Sequence, residues 1–276
     1  MQTVGARLVR VDTPDGAVWG ELRDKEVAHL PAGPFEPALN AGRVLGSIDE
    51  LVLAAPARPS KIVCVGRNYA AHAAEHRSEV PDAPLLFLKP PSTVIGPGAA
   101  IELPAESQQV EHEAELALVV GRRCRRIGEA EAWRALLGVT CANDVTARDI
   151  QRSDAQWTRG KGFDTFCPVG PWLVTGFDTG GVSDLRVRCL VNGDPRQDGR
   201  TSEMVFSPAF LISHISQVMT LEPGDLILTG TPAGVGPLTP GDTVTVDIEN
   251  IGTLTNPVTA ESQESRVKSQ ELRVKS

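Results

Sequence analysis

A chain of 276 residues with 41% hydrophobic and 22% charged residues has the balance of a globular protein, with room for one large domain or two small ones. A net charge of −8 and 4% aromatic residues supply neither a basic stripe nor a stacking platform, which excludes a nucleic-acid partner at this level of reading. No apolar run approaches the roughly 20 residues of a membrane span, and the opening MQTVGARLVRVDTPDG has no apolar core of a secretory leader. Cys64, Cys124, Cys141, Cys167 and Cys189 form no Cys-x-x-Cys pair and read as small buried hydrophobes of a reducing, cytoplasmic compartment.

In chain order, residues 1–55 predict a small β-rich domain, with RLVRV, AVWGEL and EVAHL parted by Pro-Asp-Gly and Arg-Asp-Lys turns. Leu53–Ser60, LAAPARPS, reads as a linker into residues 60–260, the expected catalytic domain. KIVCV (61–65) predicts a buried strand, and Ala70–His76 a short, mostly exposed helix inside a long, lid-like loop. A strand over Leu85–Leu88 is closed by Lys89-Pro90-Pro91. Glu129–Leu137 predicts a helix stopped by Gly138, followed by a strand over Val139–Asp144 and a helix over Val145–Asp154 that Asp144 can cap.

Trp157–Pro171 is glycine-rich and irregular, and PWLVTGF and LRVRCLVNG are strands, the second ending in an Asn-Gly turn. Ser207-Pro208 opens a helix whose Phe210, Leu211, Ile215 and Val218 share a face. Two Pro-Gly-Asp turns then feed strands, in LEPGDLILTGTP (221–232) and LTPGDTVTVDI (238–248). Residues 261–276, where SQESRVK recurs as SQELRVK, predict a disordered or weakly helical tail without a catalytic role.

The chemistry concentrates in VEHEAELALVV (110–120). Alternation on a strand puts Glu111, Glu113 and Glu115 on one side, just before an apolar run. Carboxylates that close raise one another's pKa, so solvent or a cation must compensate; the plain alternative is a frayed acidic strand end. Asp144, with Arg148 and Gln151 on the following turns, is either an ordinary helix cap with an ion pair or a further metal ligand beside a cationic clamp. An all-carboxylate set suits Mg2+ or Mn2+ rather than Zn2+. HAAEH (72–76) matches the His-x-x-Glu-His pattern of inverted zinc peptidases, but no third ligand in the expected setting accompanies it. His72 and Glu75 alone, at i and i+3, make an acid–base couple in which the carboxylate orients the imidazole and raises its pKa. GTPAGVGPLTPG (230–241) lacks the Gly-Lys-Ser/Thr end of a phosphate loop.

Taken together, VGRNYAAHAAE (65–75), LFLKP (86–90), HEAELALVVG (112–121), ANDVTARDIQ (142–151), KGFDTFCPVGP (161–171) and LILTGTPAGVG (226–236) resemble the fumarylacetoacetate hydrolase family over residues 60–258. Within it the chain is most similar to the bacterial branch of 2-hydroxyhepta-2,4-diene-1,7-dioate isomerases and acylpyruvate hydrolases. The resemblance implies a mainly β, α+β fold, a mixed β-roll with few helices, and one Mg2+ or Mn2+ held by Glu113, Glu115 and Asp144. It implies catalytic roles for His72, Glu75 and Lys161, substrate contacts from Arg148, Gln151 and Thr231, and a place near the substrate for Lys89. Glu111 falls outside the matched motif and reads as edge decoration. Ala71 stands where many relatives carry Asp, and the extra upstream carboxylate ligand of the fumarylacetoacetate-cleaving enzyme has no counterpart near Val65.

The implied reaction is isomerisation or decarboxylation of a 2-hydroxy-dienedioate or 2-oxo acid in aromatic meta-cleavage catabolism, through an enolate that the cation, Lys161 and Arg148 stabilise. The alternatives are acylpyruvate hydrolysis or oxaloacetate decarboxylation at the same site and, more remotely, non-catalytic binding of 2-oxo acids. A linear dicarboxylate needs a second cationic anchor, for which Arg152 and Arg159 are close in sequence. The expected partner is a small-molecule substrate, with neither nucleic acid nor membrane, and relatives imply a homodimer.

Overall fold

The protein is described here from a computed structural model, over residues 5–35, 41–177 and 181–261; the repeated tail from 262 onward lies outside the described residues. It is mainly β, as predicted. A twelve-stranded sheet runs in the order Val44–Ser47, Glu26–His29, Val18–Arg23, Arg7–Val11, Cys167–Val174, Leu136–Asn143, Ala114–Val120, Leu226–Leu228, Ile62–Gly66, Leu85–Lys89. Leu53–Ala54 and Val94–Ile95 attach to it off this path. A five-stranded sheet (Asp194–Arg200, Arg186–Val191, Thr243–Ile248, Gly252–Ala260, Ile101–Leu103) and a three-stranded one (Thr146–Ala147, Val110–His112, Gly236–Pro237) complete the β structure. The helices are α1 (Ala70–Glu75), α2 (Glu129–Ala132), α3 (Arg148–Ser153), α4 (Thr158–Lys161) and α5 (Pro208–Val218).

The strand Ala114–Val120 explains its own apolar run. Leu116, Leu118 and Val120 face the larger core with Val187, Val246 and Ile212, while Ala117 and Val119 face a second core with Leu8, Ile62 and Leu226. Both faces are covered, so alternation gives way to a continuous hydrophobic stretch. The N-terminal strands join the same sheet, Arg7 pairing with Val174 and Leu8 with Leu173.

Several local expectations are corrected. Leu53–Ser60 is not a free linker: Leu53–Ala54 pairs with Arg10 and Val11, and the Arg10 guanidinium donates to the Ala55 carbonyl at 2.9 Å. The helix expected over Glu129–Leu137 ends as α2 and one 3-10 turn, Trp133–Ala135. The Gly121 and Arg122 amides both donate to the Ala135 carbonyl, at 2.7 and 3.2 Å, which turns the chain into the next strand at Leu136. On α5, Ser207 caps as expected, its hydroxyl accepting from the Phe210 amide at 3.2 Å. The buried face is Leu211, Ile212 and Ile215, and Val218 is exposed. The five cysteines are buried and free.

A candidate metal and 2-oxo acid site

The acidic stretch is two strands rather than one. Val110–His112 belongs to the small sheet and Ala114–Val120 to the large one, with Glu113 at the joint. Asn143 fixes that joint by accepting the Glu113 amide at 2.9 Å, and the Glu113 carbonyl accepts the Asp144 amide at 2.9 Å. The break rather than simple alternation delivers Glu113 and Glu115 to Asp144. The ligand oxygens of the three lie within 4.8 Å of one another, and all three side chains are buried.

Asp144 does not cap a helix. Thr146–Ala147 is a strand, and α3 starts at Arg148 with Ala147 as its cap. The Asp144 carboxylate is held by Lys89 and Lys161, with Lys161 Nζ at 2.7 Å from one oxygen and at 2.9 Å from Glu113. Lys161 also lies 5.1 Å from the centre of the Phe87 ring. Burial works against its charge, but Asp144 and Glu113 outweigh that and raise its pKa, so it stays cationic.

Arg148 spans the cluster. Its guanidinium donates to Glu111 at 2.7 Å, to Glu113 at 2.6 Å and to Gln151 at 2.7 Å. Glu111 is therefore not edge decoration: it is 4% exposed and ion-paired with the residue that reaches a metal-ligand candidate. Its place outside the family motif hid this role; its alternation with Glu113 and Glu115 in VEHEAEL was the only sequence signal.

Electrostatics single out Glu115. Glu113 is held well below the ordinary glutamate range: burial opposes ionisation, and Lys161 and Arg148 overcome it. Glu115 is pushed well above that range by burial, then by Asp144 and Glu113. One of its oxygens accepts the Gly230 amide at 2.7 Å, and it has no ion pair among the described residues. Gly230 is required there: its φ is +96°, and a Cβ would sit 2.7 Å from that of Asn68. Four buried carboxylates (Glu111, Glu113, Glu115, Asp144) face three buried cations (Lys89, Arg148, Lys161), leaving one negative charge uncompensated. A buried charge in that position takes up a proton or meets a cation. Three hard oxygen donors beside such a deficit fit a divalent cation of the Mg2+ or Mn2+ type.

A cleft of about 590 Å3 opens over this cluster and is lined by His72, Glu75, Glu113, Glu115, Asp144, Arg148, Gln151, Lys161 and Thr231. Lys89 is the one predicted site residue that does not line it; it stands behind Asp144, 1% exposed, also donating to the Val145 carbonyl at 3.0 Å. Thr231 is fixed by Gln197, whose amide donates to the Thr231 hydroxyl at 2.7 Å while its oxygen accepts the Ala114 amide at 3.0 Å. Nothing in the local sequence marks Gln197, which arrives from a distant strand.

Helix α1 is mostly exposed, as expected, with only His72 and Ala73 buried. Asn68 anchors its entry by donating to the Thr229 carbonyl at 2.7 Å and accepting the Phe206 amide at 2.8 Å, and His72 faces inward. The dyad differs from expectation. His72 Nδ1 and Glu75 stand 3.5 Å apart, too long for a hydrogen bond. Burial lowers the His72 pKa; Glu113 counteracts this, Arg148 and Lys161 reinforce it, and Glu75 raises it least. The imidazole is thus neutral near pH 7, available to accept a proton. At the mouth, Arg152 lines the cleft together with Arg67 and Arg77, which sequence reasoning passed over, while Arg159 does not line it but pairs with Asp154, which does, at 2.7 Å.

Fold and site together define a β-rich protein with a buried carboxylate cluster, flanked by fixed cations, at the floor of a polar cleft. Residues 61–259 match the family described as fumarylacetoacetate (FAA) hydrolase, C-terminal, and the chain belongs to that family. It is 49% identical over 259 residues to Protein Rv2993c of Mycobacterium tuberculosis, covering 91% of this chain and 97% of that one. It is 43% identical over 265 residues to the mitochondrial oxaloacetate tautomerase fahd2 of Xenopus laevis, covering 92% of this chain and 83% of that one. The crystal structure of 2-hydroxyhepta-2,4-diene-1,7-dioate isomerase from Mycobacterium marinum superposes with a TM-score of 0.85 at 45% identity, covering 94% of this chain and all of that one.

Proposed function

We propose that this protein is a divalent-metal-dependent enzyme that isomerises or decarboxylates a 2-oxo or 2-hydroxy-2-enoic dicarboxylate through an enolate. The uncompensated charge at Glu115, set beside Lys161 and Arg148 in an open cleft, carries the reading. Glu113, Glu115 and Asp144 would hold Mg2+ or Mn2+, which when bound supplies Lewis-acid polarisation of a substrate carbonyl. Lys161 and Arg148 keep fixed positive charge at the edge of that site, where enolate charge develops, and they need no reorganisation to do so. Neutral His72 exchanges the proton, with Glu75 beside it. Gln151 and Thr231 orient the carboxylate end of the substrate.

The two relatives whose names carry an activity support the proton-transfer version: one name is a tautomerase, the other an isomerase, and both named substrates are dicarboxylates. A divalent cation would turn the buried charge of −1 into +1, matched to an anionic substrate. Arg67, Arg77 and Arg152 at the mouth suit its distal carboxylate. C–C hydrolysis of an acylpyruvate is the second reading, since the same enolate forms when that bond breaks. The small-molecule substrate is the expected partner, a homodimer is proposed on family grounds, and a cytoplasmic location is proposed from the five free cysteines; no helix among the described residues is long and apolar enough to cross a membrane.

The test is turnover with Mg2+ or Mn2+ on oxaloacetate, acetylpyruvate and 2-hydroxyhepta-2,4-diene-1,7-dioate, with products identified. Proton exchange or CO2 loss from the dicarboxylates is expected to dominate. Metal binding without turnover of any of the three would overturn the reading. Replacing Arg152 or Arg67 by Gln should raise KM for the dicarboxylates and leave that for acetylpyruvate unchanged.

A further inference from the structure

HAAEH remains after the carboxylate site is accounted for, and its two imidazoles are unsatisfied. His72 and His76, four residues apart, bring their ring centres to 4.8 Å at an interplanar angle of 80°. With Glu75 they place three ligand atoms within 4.8 Å of one another. His72 is more than nine-tenths buried, and its Nδ1 points at Glu75 without a hydrogen-bond partner among the described residues. His76 Nε2 is likewise buried and without a partner. Both Glu75 oxygens accept the Gly234 amide at 3.2 Å, which pins the carboxylate to the opposite wall. Buried polar atoms left without partners are uncommon, and a bound ion is one of the few arrangements that satisfies two of them at once.

We propose that His72, Glu75 and His76 form a second metal site, selective for an imidazole-preferring cation such as Zn2+, whose occupation blocks the enzyme. Two nitrogens and one carboxylate are a zinc-type donor set, whereas Glu113, Glu115 and Asp144 offer only hard oxygens. Modest side-chain rotations would bring the three atoms to metal bonds of about 2.0–2.2 Å. Such a cation takes the lone pair that His72 otherwise uses to accept the substrate proton. The site therefore inhibits without displacing the activating metal. The inhibitory arm rests on the role proposed for His72; the binding arm does not.

The experiment is titration of the full chain with Zn2+ in saturating Mg2+, read by calorimetry and by metal content after desalting, with Co2+ absorption as a second probe. One Zn2+ per chain is expected, with the intense Co2+ bands of a nitrogen-ligated, four-coordinate site. His76→Gln should weaken zinc binding by at least the roughly 10–100-fold that loss of even an outer-shell partner costs, and should relieve zinc inhibition in proportion. Glu115→Gln should retain the zinc. Equal zinc uptake by wild type and His76→Gln, or zinc lost in Glu115→Gln and kept in His76→Gln, would overturn the proposal. The Co2+ spectrum of the wild type decides independently of variant folding: weak octahedral bands alone would also overturn it. Absence of turnover on every substrate removes the reading of His72 but leaves the binding result standing.

Discussion

Glu111 and Arg148 form a buried ion pair, Oε2 to Nε at 2.7 Å, and through it a carboxylate outside the candidate metal cluster aims the guanidinium that reaches Glu113. The Gln109 amide donates to the other Glu111 oxygen at 2.5 Å, so the pair is held from both sides. Removing one partner of such a pair strands a buried charge and costs about 3–5 kcal/mol. Glu111→Ala is expected to lower stability by that order. Glu111→Gln, which keeps the shape, should fold but lose about tenfold in kcat/KM through a misdirected Arg148. Unchanged kinetics in Glu111→Gln would show that Arg148 needs no such support.

Glu115 is expected to behave in the opposite way. Its carboxyl is buried with no cation of its own and its ionisation is disfavoured, so Glu115→Gln mimics the protonated group and removes the cost of ionising it. The variant should be no less stable than the metal-free wild type. It should also lose the stabilisation that Mg2+ or Mn2+ gives the wild type, about 2.7 kcal/mol at a hundredfold excess over Kd, and with it the accompanying rise in Tm. Chelator treatment of the wild type should return its Tm to that of the metal-free protein. A Glu115→Gln protein that kept the metal-induced shift would refute the ligand assignment.

Lys89 and Lys161 both pair with Asp144, yet only Lys161 lines the cleft. Lys161→Met should abolish turnover. Lys89→Met should act through Asp144, weakening metal affinity by roughly tenfold or more with little change in substrate KM at saturating metal. A large KM effect in Lys89→Met would mean that it meets the substrate after all.

Away from the cleft, Asp225 carries a stability switch with a defined sign. Its fully buried side chain accepts the Ser60 amide at 3.0 Å, the Ser60 hydroxyl at 2.7 Å and the Glu222 amide at 2.8 Å, and pairs with Lys61. Burial alone would raise its pKa; the Lys61, Glu222 and Ser60 contacts outweigh that and depress it. A depressed carboxyl stabilises the fold above its unfolded value of about 3.9, and that contribution fades as pH falls toward the folded value. Wild type should therefore lose stability below pH ~4 more steeply than Asp225→Asn. At pH 7 the variant should be less stable by about 3 kcal/mol. Parallel acid unfolding curves would refute the linkage.

How much of this was legible beforehand depended on the range of the interaction. The Ser207 cap, the apolar strand over Leu116–Val120, the Asn192-Gly193 turn and the mainly β character are set by neighbours a few residues away, and the amino-acid order alone determined them. The residues of the candidate site were named through the family resemblance, and Glu113, Glu115 and Asp144 do cluster, with Lys161, Arg148 and His72 around them. What needed tertiary structure was the partner of each charge. Glu111 looks superfluous until Arg148 arrives from 37 positions away. Asp144 looks like a helix cap until Lys89 and Lys161 enclose it. His72 looks like an imidazole raised by Glu75 until burial reverses the shift. In each case the deciding terms are desolvation and contact with residues distant in sequence, and neither exists in the chain before the sheets close.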